Sequence, residues 1–352
     1  MKVLYLFNRV KKQAAEDVRA GLDCDNSFFG MFRLPHHGVQ AGYLELEQFY
    51  PAAISAFLRR LLGMHFAHMP LLPRFRQYDF VFTSTAFGCL LAKAALGLRR
   101  PKWVVFDYSI AGLIGNRTNW RQRMLHRIVS RAADGIVTIS EHEAERAREL
   151  FPHLASRITF IPLGTDIGYF SPDDTIADGG VLTVGKDPYR DYSTLLSAVA
   201  MSGLPCTIVT NRPELIAPFQ PLPGTVTMRT ASAQSLREEY GRARIFALSL
   251  STTSGRNDAV GCSTLVEAMA MGKAIVATKT STMEAYIEDG VSGVLVPEGD
   301  AEAMATAIRE LWGDEAKRRR LGEAARRFAV EQLDAERFAG ALACFFNSVI
   351  GS

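Results

Sequence analysis

Gly261, Cys262, Ser263 and Thr264 place four small residues just before a helical run that carries Glu267. A helix start presents N–H groups that the helix leaves unused, and these attract phosphate. Glycine at 261 and small side chains through 264 leave the backbone open to an anion. Glu267, one turn further on, can accept hydrogen bonds from ribose hydroxyls. The same spacing suits a helix capped by Ser263 or Thr264 with Glu267 closing a capping box, so spacing alone leaves both readings open.

Other chemistry-bearing residues stand at the ends of predicted strands. Asp107 and Tyr108 follow KWVVFD, Thr83, Ser84 and Thr85 close or follow DFVFTS, and Asn8 and Arg9 end the first strand. An acid at 107 suits either an acceptor hydroxyl or a turn. The hydroxyls at 83–85 suit either a sugar or a turn, and turn formation is the plainer reading. His36-His37 has no acid at metal-ligand spacing and reads as loop. Asp23-Cys24-Asp25 follows no clear strand and reads as a turn.

The elements that must position these residues repeat one scheme. Short β-branched runs at 2–7, 79–84, 102–107, 135–140 and 157–163 alternate with helical patterns. A second set of strands falls at 179–185, 206–211, 225–230, 244–250, 273–279 and 293–298, with helices at 191–201, 233–241, 263–271, 301–312 and 316–331. Strands apolar on both faces, separated by helices, predict parallel α/β sheets, and two sets predict two doubly wound domains. The Pro-, Gly- and Asp-rich stretch 162–180 is the expected boundary region. We therefore expect domains at 1–167 and 168–333, with an amphipathic helix in 334–352 docking back on the first.

Composition narrows the class. Hydrophobic content of 48% with 22% charged residues is that of a soluble globular protein. No apolar run reaches the roughly 18 residues of a spanning helix. MKVLYLFNRVKK is apolar first and basic after, the reverse of a signal peptide. Five scattered cysteines fit reduced thiols in a cytoplasmic protein. Residues 1–170 carry 22 Lys and Arg against 14 Asp and Glu, whereas 171–352 carry 18 against 23. A basic first half suits an anionic acceptor or an acidic membrane surface, and equally an ordinary solvated surface. The basic, apolar stretches 56–76 and 116–131 fit lipid contact or, more plainly, core-facing helices with charged outer faces. No recognised module supports nucleic-acid binding.

Leu265-Val266-Glu267-Ala268-Met269-Ala270-Met271-Gly272-Lys273-Ala274-Ile275-Val276 resembles the L-E-A-M-A-x-G-x-P-V-V donor-site motif of family 4 glycosyltransferases. TKTSTMEAYIEDGVSGVLVPEGD, FIPLGTDIGYFSP, VLTVGKDPYRDYSTLLSAVA and DGIVTISEHEAERAREL resemble further segments of that family, in the family's order. Together they cover about residues 134 to 331. The resemblance implies a GT-B fold, two Rossmann-like domains facing across a cleft. It implies retaining transfer of a sugar from a nucleotide-diphosphate-sugar to a hydroxyl acceptor, with no metal or other cofactor. The acceptor would be a glycan, a lipid-linked molecule or a small molecule, and the site cytoplasmic, at the inner face of a membrane where lipid is involved.

Carried over by position, Gly185, Lys186 and Arg190 would meet the donor diphosphate, with Lys186 in the place of the usual Arg and Arg190 in that of the usual Lys. Gly261, Cys262, Ser263 and Thr264 complete the donor site, and Glu267 holds the ribose. Lys186, Arg190 and Asp107 are the catalytic candidates, and Asn8, Arg9, Ser84 and Tyr108 the acceptor-side ones. Two departures stand out. The family's first acid falls at Ala259, with Asp258 beside it, and the usual Gly-Gly loop after the first strand is replaced by NRVKKQAAED. The missing acid keeps two alternatives open: an inactive nucleotide-sugar-binding protein, or an enzyme that epimerises or hydrolyses the donor.

Overall fold

The computed structural model describes residues 1–84, 86–107, 110–172, 179–252 and 259–350, which form two compact units. The first comprises residues 1–21, 27–162 and 336–352 and the second residues 22–26 and 163–335. Against expected domains of 1–167 and 168–333, residues 163–167 and the short stretch 22–26 go with the second unit.

The first unit holds β1 (Lys2–Tyr5), β2 (Gln40–Tyr43), β3 (Phe80–Thr83), β4 (Lys102–Asp107), β5 (Gly135–Thr138) and β6 (Ile158–Phe160). They form one parallel sheet in the order β2-β1-β3-β4-β5-β6. Its helices are α1 (Lys12–Arg19), α2 (Ala52–Phe66), α3 (Phe87–Leu96), α4 (Ile110–Ile114), α5 (Trp120–Ala132) and α6 (Glu141–Leu150). β3, β5 and nearly all of β4 are buried, as apolar runs between two helical layers should be. β2 escapes the sequence pattern. QAGY is a half-exposed edge strand of small and polar residues, without the apolar run that marks its neighbours.

The second unit holds β7 (Val181–Val184), β8 (Cys206–Val209), β9 (Val226–Arg229), β10 (Ile245–Leu248), β11 (Ala274–Thr278) and β12 (Val294–Val296), in the order β12-β11-β10-β7-β8-β9. Its helices are α7 (Tyr192–Ser202), α8 (Ala233–Arg242), α9 (Cys262–Ala270), α10 (Ser281–Tyr286), α11 (Ala301–Gly313) and α12 (Glu315–Gln332). A core of Leu195, Val199, Ile245, Ala247, Val276, Ile308 and Leu311 joins α7 and α11 to the sheet. α12 packs against the end of α9 so closely that a Cβ on Gly322 would stand 2.2 Å from the Gly272 carbonyl oxygen.

The last helix, α13 (Ala335–Ile350), lies on the first sheet from Glu336 onward. Phe346 meets Phe80 and Phe82 at ring distances of 5.1 and 5.7 Å, and Phe338 meets Phe106 at 6.2 Å. Gly135 lets Phe345 approach closely, since a Cβ there would stand 2.9 Å from its ring.

Strand order locates the places where ligands can enter. Chain direction diverges between β1 and β3 in the first sheet and between β7 and β10 in the second. Loops leaving such neighbours part company and open a crevice at their carboxyl ends.

Candidate functional site

At the β7/β10 divide the two loops are tied together before they separate. Asp191 N–H donates to the Ser249 carbonyl at 3.1 Å, and Ser251 N–H donates to that of Tyr189 at 3.1 Å. Glu298 holds the far side, accepting the Thr252 N–H at 2.7 Å and the Ser251 hydroxyl at 3.1 Å. Asp191 caps α7 through the Thr194 N–H. These bonds fix Arg190 between the loops.

Arg190 is 8% exposed. Its Nη2 donates to Thr264 Oγ1 at 2.7 Å, whereas its buried Nε and Nη1 have no partner among the described residues. Burial pushes its pKa down. The guanidinium lies against the backbone at Gly185, where a Cβ would stand 2.6 Å from Nε. Gly185 thus serves as space for the cation. A buried guanidinium with two open nitrogens calls for an anion, since the unmet desolvation cost is otherwise large.

Thr264 belongs to the first turn of α9. The expected cap at Ser263 or Thr264 is not what forms. Gly261 is the N-cap, at φ 86°, and among the described residues no side chain caps the helix. The left-handed backbone at 261 is open to glycine. Thr264 Oγ1 instead donates to the Gly261 carbonyl at 3.1 Å while accepting from Arg190. Ser263 is exposed and Thr264 half-buried, so both border the helix start. Cys262 is different: its side chain is 1% exposed, burial raises its thiol to about 12, and its N–H already donates to the Ala259 carbonyl at 3.4 Å. Ala259, where the family's first acid would fall, is buried, and Asp258 lies outside the described residues.

Glu267 is 8% exposed, and burial raises its carboxyl to about 7. Two hydrogen bonds oppose that rise. Tyr240 donates to Oε2 at 3.0 Å and Asn26 Nδ2 to Oε1 at 3.3 Å. Tyr240 is itself fully buried and also contacts the Thr264 carbonyl at 3.1 Å. Asn26 Nδ2 also donates to Thr165 Oγ1 at 2.8 Å, and its Oδ1 accepts the Asp166 N–H at 2.9 Å.

Asn26 therefore pins Glu267 and the linker at once. It comes from the stretch 22–26, which the sequence marks only as a turn, with no periodic pattern or motif at Asn26 itself. The neighbouring Asp23-Cys24-Asp25 takes part in no metal-ligand cluster among the described residues. Lys186 is exposed, and its charge acts on Glu267 by lowering the carboxyl's pKa.

The β1/β3 divide of the first unit is built differently. Asn8 and Arg9 are exposed, and Asn8 Nδ2 reaches Met64 Sδ at 3.6 Å. Thr83 Oγ1 donates to the Leu6 carbonyl at 2.9 Å, a bond that joins the two strands. Ser84 is half-buried at a bend. Asp107 is buried, and its Oδ1 accepts the Ile110 N–H at the start of α4, which is the turn role. Thr85 and Tyr108 lie outside the described residues. His36 and His37 both meet Glu336, at 3.2 and 3.0 Å. The structure thus gathers Gly185, Arg190, Gly261, Ser263, Thr264 and Glu267 around one helix start. It leaves the described acceptor-side candidates dispersed or tied to backbone.

Comparison with known proteins bears on the family and the fold. Residues 29–164 match the model described as Glycosyl transferase 4-like domain, and residues 222–328 match Glycosyl transferases group 1. Over 98 residues the chain is 30% identical to the O-antigen chain mannosyltransferase C of Escherichia coli, a match covering 28% of this chain and only 26% of that protein. The structure of HepE from Anabaena in complex with UDP superposes with a TM-score of 0.71 at 17% identity, covering 99% of this chain and 100% of that one. Sucrose-phosphate synthase from Thermosynechococcus elongatus gives 0.71 at 16% identity, covering 100% and 99%. At such identities the structural likeness carries the fold.

Proposed function

The chain belongs to the family 4-like glycosyltransferases of the GT-B fold, and from that premise we propose that it transfers a sugar, with retention, from a UDP-sugar to a hydroxyl acceptor. The observation that carries this reading is Arg190, buried beside the start of α9 with Nε and Nη1 open. A diphosphate supplies what those nitrogens lack. The N–H groups of Ser263 and Thr264 in the first turn of α9 would take further phosphate oxygens. UDP is the nucleotide proposed because HepE is described in complex with UDP and with UDP-glucose.

In this reading Arg190 and Lys186 neutralise the charge that grows on the diphosphate as the glycosidic bond breaks. Fixed cations act strongly in a site that needs no reorganisation at that moment. Glu267, held by Tyr240 and Asn26, retains lone pairs for the ribose hydroxyls. The departing phosphate takes the acceptor proton. Positive charge from side chains supports a reaction that needs no metal.

Peripheral contact with anionic lipid forms part of the same proposal. Ile54, Phe57 and Leu61 are 48, 62 and 67% exposed along one side of α2, next to the exposed Arg60. Trp120 on α5 is 62% exposed beside Arg121. Apolar stripes flanked by arginine favour an anionic bilayer surface. Among the described residues no helix is long and apolar enough to cross one.

Isothermal titration with UDP, then turnover of UDP-sugars with glycan acceptors, tests the reading. Binding lost in Arg190→Ala and turnover in the wild type are expected. Binding without turnover of any donor would favour an inactive nucleotide-sugar-binding protein, the alternative that the buried Ala259 supports.

A further inference from the structure

A second concave site lies wholly within the first unit, on the side of edge strand β2. It is a cavity of about 590 Å³ between α1, residues 31–35 and β2. That volume lies within the range of small-molecule sites, roughly 300–1,000 Å³. Lys12, Glu16, Arg19, Phe32, Ala41, Tyr43 and Glu45 define its chemistry.

Glu45 is 3% exposed and lines the cavity. Its Oε2 accepts the Lys11 N–H at 2.8 Å. The carboxylate also closes a capping box with the Gln48 backbone, although its buried Oε1 meets no donor at full hydrogen-bond geometry among the described residues. Burial raises its pKa, and the backbone N–H groups of Lys11 and Lys12 oppose the rise. Neighbouring side chains brace the aromatic wall. Tyr43 packs against Phe7 at 6.2 Å, and Phe32 packs against Phe28 at 4.8 Å with Arg19 over its ring at 5.5 Å.

We propose that this cavity binds a neutral saccharide unit of the acceptor, with Glu45 Oε1 accepting a sugar hydroxyl. A sugar offers hydroxyl donors for the carboxylate, hydroxyl acceptors for Lys12 and Arg19, and C–H faces for the two rings. An anion would meet the buried carboxylate, and a purely apolar ligand would leave Oε1 unmet. Only the ligand's identity as acceptor rests on the transferase reading; the saccharide site itself stands without it.

The full chain is to be titrated by saturation-transfer NMR with the methyl glycosides of glucose, galactose, mannose and N-acetylglucosamine. UDP is titrated in parallel by calorimetry. Ala41→Leu fills the cavity, since alternation along β2 puts Ala41 on the same face as Tyr43. Glu45→Gln keeps an acceptor for the Lys11 N–H and turns an NH2 group into the cavity. At least one glycoside is expected to bind, tenfold or more weakened in each variant, with UDP affinity unchanged. No binding by any of the four, or binding undiminished in both variants, overturns the proposal. If Ala41→Leu does not fold, the Glu45→Gln result decides. Loss of UDP binding with glycoside binding intact would count against the donor reading alone.

Discussion

At the β7/β10 divide of the second unit, a guanidinium and a carboxylate are buried with hydrogen-bonding capacity to spare. At the β1/β3 divide of the first unit, Thr83 and Asp107 are engaged with backbone and Asn8 and Arg9 face solvent. Both sheets are parallel and six-stranded, so topology provides the crevice in each. What differs is not burial, since Asp107 is 2% exposed, but that Arg190 keeps a buried charge with Nε and Nη1 open among the described residues. Such charge is costly without its ligand, which makes it a better sign of a site than position at a strand end.

The sharpest way to break this contrast is Arg190→Ala. UDP affinity is expected to fall about 100-fold or more, judged from the loss of one fixed charge-stabilising donor, with calorimetry as the measurement. Apo stability should hold or rise, because the buried guanidinium bonds only Thr264 Oγ1 among the described residues. Matching losses in Asn8→Ala or Ser84→Ala would erase the contrast.

Glu267→Gln comes next. Donor affinity should drop about tenfold or more, the loss of one charged hydrogen bond. Apo stability at pH 8 should rise by about 1–3 kcal/mol, read from thermal melts. The sign follows from the raised folded-state pKa of about 7 against an ordinary 4.5. The unfolded chain ionises first, so the folded state loses stability as pH rises from about 4.5 through 7. Removing the acid removes that loss. An unchanged melt at pH 8 would mean Glu267 is less desolvated than its burial implies.

The same pKa predicts that UDP affinity weakens as pH falls below about 7, where Glu267 takes up a proton. Asn26→Ala sharpens this. Its hydrogen bond lowers the Glu267 pKa, so its loss should move the midpoint upward and weaken UDP by about three- to tenfold. A merely structural role would leave the midpoint in place. The smallest effect belongs to Asp107→Ala, expected to cost about 1 kcal/mol of stability, as loss of a helix-start bond does, with UDP affinity unaffected.

Much of the fold was legible because buried parallel strands leave apolar runs. Among the described residues, each strand but β2 stands where the sequence places one. An edge strand of Gln40, Ala41, Gly42 and Tyr43 has little to bury and leaves no such run. The proposed donor site was legible where its parts are local, from Gly261 to Glu267. Its supports were not. Tyr240 and Asn26 reach Glu267 from 27 and 241 residues away, and contacts of that kind leave no spacing to read. Several motif residues turn out to build the frame: Asp300 caps α11, Asp289 accepts the Leu295 N–H, and Gly293 packs on Ile275 and Ile287.

The stretch 22–26 has a practical consequence for protein engineering. A hybrid enzyme spliced near residue 163, with its first part taken from another transferase, would keep Glu267 and Tyr240 but lose Asn26. Its second part would look complete by sequence and yet carry a loosened carboxylate. Grafting residues 22–26 of this chain into the foreign part would be the repair, so the workable unit of exchange is discontinuous.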